Sequence, residues 1–215
     1  MNFCLLILTL ISGHASQSGR TETFTFSSNG IPVKGKIYLP PSCETNMSLP
    51  AIYLIDFTEQ QFKNATDEFE KVVEAVNQIQ GFDALVVALA DHPDIDAQPE
   101  AFKEYYDIFN HMASYVDDNY TKNTSGTFIG KGSEAGIVLM TMFLEDSVSS
   151  VFENFIASDS PGSFNSVVME MIEKDDFPKN KQKKKLHFSF STPDIEPAGF
   201  FTGVYVVNDD ARYSR

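Results

Sequence analysis

The chain has 215 residues, 42% of them apolar, 21% charged and 13% aromatic, a composition that suits one globular domain with a sizeable core. Its net charge is −14, which argues against electrostatically driven partners such as nucleic acid or an anionic membrane surface. Tryptophan is absent, and 19 phenylalanines supply the core volume.

The first residues read as a secretory signal. "FCLLILTLISG" is an apolar core of suitable length, and "GHAS" offers small residues for cleavage after Ala15. The stretch is too short to span a membrane, and no later apolar run is long enough. The sequence therefore predicts a signal over residues 1–15 and a secreted or periplasmic protein without a membrane anchor. Cys4 falls inside the signal, which leaves Cys43 alone and excludes an internal disulfide in the processed chain. Four Asn-X-Ser/Thr triplets begin at Asn46, Asn64, Asn119 and Asn123, candidate glycan sites on surface loops of a eukaryotic protein.

Further along, "ETFTFSS" and "VKGKIYLP" alternate in period two, as antiparallel edge strands do. "AIYLIDF" (51–57) and "ALVVALA" (84–90) are continuous apolar runs suited to strands buried on both faces. "GTFIG", "NFIASDS" and "KLHFSFS" (185–191) extend the series. Between them, residues 66–80 place Phe69, Val72, Val73, Val76 and Ile79 on one helical face. Residues 99–120 do the same with Phe102, Tyr105, Phe109, Met112, Val116 and Tyr120. Residues 134–145 and 163–174 are also helical in pattern. The basic run Lys179 to Lys185 reads as a solvated loop. This order predicts an α/β fold: a mostly parallel sheet with helices on both faces, led by an antiparallel hairpin. Ligands bind such sheets at the carboxyl ends of the strands, here the loops 56–64, 90–98, 130–134 and 158–165 and the one after Ser191.

Several segments together resemble the α/β-hydrolase fold, and within it the esterase family that includes esterase D and the enterochelin-esterase-like hydrolases. "IPVKGKIYLPPS" is similar to that family's second strand, and "LPAIYLIDF" and "ALVVALAD" to its central strands. "YYDIFNHMASYVDDNY" is similar to the helix that precedes its nucleophile strand, and "TFIGKGSEAGIVLMTMFL" falls where its nucleophile elbow belongs. "VFENFIASDSPGSF" resembles the strand that follows. The resemblance covers roughly residues 22–192 of a domain taken as 22–215. It implies a serine carboxylic-ester hydrolase acting on a small-molecule ester, with no metal or other cofactor.

A nucleophile elbow is a tight strand-to-helix turn, strained at the nucleophile, with small residues two before and two after it. Two registers fit "GKGSEAG". With Ser133 as nucleophile, Ala135 satisfies the helix side but Lys131 stands where a small residue belongs. With Gly130 as the leading small residue, Gly132 takes the nucleophile position and Glu134 is the misfit. Only the first register supplies a reactive atom, so Ser133 is the candidate nucleophile, set against a plain helix-capping serine. The resemblance then assigns the oxyanion donors to the N–H groups of Glu134 and Phe57. It assigns the triad acid to Asp194, with Glu196 as the alternative.

The fold's chain order requires a histidine after the acid, and none follows. The histidines are His14, His92, His111 and His187. Only His92, in "ADHPDID", falls at the functional edge of the sheet, so it is the candidate base. The same motif is a weak hard-cation cluster with too few ligands at defined spacing. The final strand and helix that carry the family's histidine are not recognisable in "GFFTGVYVVNDDARYSR". Three possibilities follow: a secreted serine esterase, a degenerate relative that binds a ligand or protein partner without turnover, or a truncated product with no stable fold of its own.

Overall fold

The structure, a computed structural model, describes residues 19–55, 68–90, 101–123, 125–145, 151–159, 166–167, 170, 184–191 and 200–207. Eight strands form one sheet: β1 Arg20–Ser28, β2 Ile31–Leu39, β3 Ala51–Leu54, β4 Leu85–Leu89, β5 Gly126–Lys131, β6 Phe152–Ser158, β7 Lys184–Ser191 and β8 Phe200–Val207. Among the described residues, α-helices run over α1 Glu68–Gln78, α2 Phe102–Asn119 and α3 Ser133–Leu144. Across the sheet the order is β1-β2-β4-β3-β5-β6-β7-β8.

The alternating segments form the expected antiparallel hairpin, with Ser28 opposite Ile31 across the left-handed pair Asn29 and Gly30. β2 joins β4 antiparallel, and β4, β3, β5, β6 and β7 are parallel. The apolar runs occupy the centre, where all five residues of β4 are buried. Helices cover both faces. Phe69, Val73 and Val76 of α1 pack with Tyr38, Leu54, Val86 and Ala88 on one side. On the other, α2 and α3 pack with Ile37, Tyr53, Leu85, Val87, Phe128 and Phe155. The Phe128 and Phe152 rings stack at 4.5 Å, with Phe109 of α2 5.0 Å from Phe128.

Two elements depart from the expectations, and a third is described only in part. Ile79 is 55% exposed rather than on the core face, because α1 ends one residue before it. Of the helix expected over 163–174, Ser166, Val167 and Glu170 are described, and all three are helical. The largest departure is the tail. "FFTGVYVV", unrecognised as a strand, forms β8 antiparallel to β7, with Val207 opposite Lys184. Residues 192–199 are the whole connection, shorter than the dozen or more residues a parallel crossover needs. The chain therefore turns back, and β8 ends at the edge where the parallel strands begin.

Lys184 is a correction to the solvated basic run. Its ammonium is buried beside the Glu145 carboxylate at 2.8 Å, with side chains 3% and 0% exposed, and also donates to the Met142 carbonyl. Glu145 in turn accepts the Val151 N–H at 2.7 Å. One ion pair thus ties the end of α3 to the starts of β6 and β7. Burial lowers the Lys184 pKa, and Glu145 partly opposes that.

Lys184→Met alone leaves a buried carboxylate without its cation and is expected to lower stability by about 3–5 kcal/mol. Adding Glu145→Gln, which still accepts from Val151, recovers most of the loss; urea unfolding midpoints of the two variants measure it. A second expectation concerns Asp117 of α2, whose carboxyl is raised from 3.8 to about 6, first by burial and then by Asp118. A carboxyl raised in the folded state contributes stability below its unfolded pKa and loses it as pH rises through the folded one. The melting temperature should therefore fall between pH 3.8 and about 6, and Asp117→Asn should flatten that stretch of the profile.

Candidate functional site

Strand β5 delivers the chain to the carboxyl edge of the sheet, and α3 carries it away across the core face. The turn between them is made by Gly132, the N-cap of α3, with φ 64° and ψ −131°. No other residue of this turn has a positive φ. A side chain in this conformation is strained, by about 1–3 kcal/mol for a non-glycine residue. The Gly132 N–H donates to the Ser158 carbonyl at the end of β6, and its own carbonyl accepts from Ala135. The turn is therefore pinned to the neighbouring strand and to the helix at once.

Gly130 sets how closely the helix can return. A Cβ there would lie 2.6 Å from the Glu134 carbonyl oxygen and 2.9 Å from the Ala135 nitrogen. Both neighbours are backbone, so nothing can swing aside. Gly130 is thus the small residue two before the pivot, and Gly132 is the pivot. Lys131, between them, points outward and is exposed, so it meets no size limit. The position two after the pivot holds Glu134. Its carboxylate lies 3.7 Å from where a Gly132 Cβ would be, an ordinary van der Waals distance.

Ser133 is the first residue of α3, half-buried and one place past the pivot. The amide immediately after the pivot is that of Ser133, and Glu134 follows. These two are the sequence candidates that the structure brings together. Phe57, His92 and Asp194 lie outside the described residues, as do Glu196 and the "DHPDID" motif. Among the described residues no group of three or more His, Cys, Asp or Glu could hold a metal ion. Of the other histidines, His111 and His187 lie among the described residues. His111 Nδ1 lies 3.1 Å from the Ser28 hydroxyl at the hairpin end of β1. His187 sits within β7, level with Ile156 of β6 and Val204 of β8.

No family model and no curated protein matches the chain. Solved structures do. An IroE-like serine hydrolase from Shewanella oneidensis superposes with a TM-score of 0.59 at 14% identity, over 79% of this chain and 60% of its own. Prolyl oligopeptidase B from Galerina marginata gives 0.51 at 12% identity, over 66% of this chain and 20% of its own. The protein FAE gives 0.50 at 12% identity, over 81% and 67%. The likeness shows the α/β-hydrolase fold, and this chain spans only 60% of the length of the Shewanella protein.

Gly132→Ala and Gly130→Ala should each cost about 1–3 kcal/mol, the first through backbone strain and the second through overpacking. At about 2–4 °C per kcal/mol for a chain of this size, thermal melts should resolve both. Ser133→Ala should stay within about 0.5 kcal/mol of the parent.

Proposed function

We propose that this chain is a secreted protein of the α/β-hydrolase fold whose elbow binds a small ester-like ligand without turning it over. One observation carries the reading: the strained pivot of the elbow is Gly132, so no hydroxyl projects from the position that the fold reserves for the nucleophile. Glu134 supports it, because a long side chain stands two after the pivot, where the elbow pattern places a small one. In serine proteases stripped of a triad member, only about 10³–10⁴-fold catalysis survives, from the oxyanion hole and binding.

A second reading has its own observation. Ser133 stands one residue beyond the pivot at the N-terminus of α3, in a fold shared with a serine hydrolase. Under it, Ser133 attacks the ester carbonyl, His92 accepts its proton, and Asp194 orients the base. The amides of Glu134 and Phe57 hold the oxyanion.

A fluorophosphonate probe and an activated p-nitrophenyl ester separate the two. The purified protein is expected to take no label and to show no hydrolysis above a heat-denatured control. Labelling that disappears in Ser133→Ala would overturn the binding reading in favour of the esterase.

A further inference from the structure

Three of the four Asn-X-Ser/Thr triplets converge on one pole of the sheet. Asn46 lies in the loop leading into β3, Asn119 ends α2, and Asn123 lies in the loop leading into β5. Side-chain bonds hold these segments side by side. The Thr121 hydroxyl donates to the Leu49 carbonyl at 2.7 Å, and the Asn123 amide donates to the Ser48 carbonyl at 3.3 Å. Both loops enter the sheet where Ala51 pairs with Gly126. The elbow is at the far end of β5, about 17–20 Å away for a strand of this length.

Asn46 and Asn119 are exposed, and Asn123 is half-buried. The Oδ1 atoms of Asn46 and Asn123 accept the N–H of Ser48 and Ser125, two residues on, at 2.9 and 3.0 Å. The Nδ2 atoms of Asn119 and Asn123 donate once each, to the carbonyls of Tyr115 and Ser48. A side-chain amide carries two N–H groups, so each can keep that bond and still bear a substituent.

We infer that Asn46, Asn119 and Asn123 carry N-linked oligosaccharides that sheathe this pole, an inference that rests on the secreted reading. In the transfer, each Nδ2 bonds to the anomeric carbon of a lipid-diphosphate-linked oligosaccharide. The carbon–oxygen bond to diphosphate breaks, the lipid diphosphate leaves, and the amide loses one proton. The Thr121 hydroxyl is fully buried in the folded chain, so Asn119 is modified before folding completes.

The test translates the full chain with endoplasmic-reticulum microsomes, alongside a version whose residues 1–15 are replaced by an established secretory leader. Protease protection reads translocation, and peptide N-glycosidase reads the glycans. The expected result is a protected chain that collapses in mass on deglycosylation. It should lose one mobility step in each of Asn46→Gln, Asn119→Gln and Asn123→Gln. A leader-driven chain that is protected yet unglycosylated, or modified only at Asn64, overturns the inference. If only the leader-driven chain enters and gains the three glycans, the sites stand and the secreted reading falls.

Discussion

Helix α3 is clamped at both ends, and that clamping fixes the geometry of everything that meets it. Its entry is set by the contact between Gly130 and the Glu134 carbonyl, which brings the helix axis as near to β5 as backbone atoms allow. Its exit is set by Glu145, which reaches both Val151 and Lys184. Between the clamps the helix is buried on every side, from Ala135 to Met142, as a helix that is apolar all round must be. The sheet beneath and α2 beside it are built to receive it.

This arrangement separates two demands that an elbow usually satisfies together. The packing demand falls on backbone: a small residue at 130 and a tolerated left-handed conformation at 132. The chemical demand falls on one side chain at 132. Glycine at both places meets the first in full, and the turn keeps its hydrogen bonds to Ser158 and Ala135. Glu134, two residues after Gly132, lies at ordinary van der Waals distance from where a Cβ at 132 would stand.

Most of the sheet was legible because burial imposes its own period on the sequence. Alternation in "ETFTFSS" and unbroken apolarity in "ALVVALA" reported one-sided and two-sided burial directly, and the core face of α2 followed from residue spacing. The elbow was legible as a place but not as a register, since both registers break the small-residue rule once. The positive φ of the turn falls at Gly132, an angle on which the reactive atom of Ser133 has no bearing. Lys184 was illegible for a different reason: its burial depends on Glu145, 39 residues away, and nothing in a lysine run marks which member faces inward. The tail went unrecognised as a strand, and its direction follows from the length of the preceding connection, not from its own composition.

The buried pair between Lys184 and Glu145 also bears on alignment within the sheet. Residues 183, 184 and 185 are all lysine, so β7 could slide by one position either way and still offer an ammonium to Glu145. A slide of one residue exchanges the two faces of a strand, and Lys185 or His187 would then stand where buried Leu186 packs. The charge is therefore degenerate along the strand, while the leucine is unique. The ion pair holds the strand once it is seated, but the apolar side chain selects the seat.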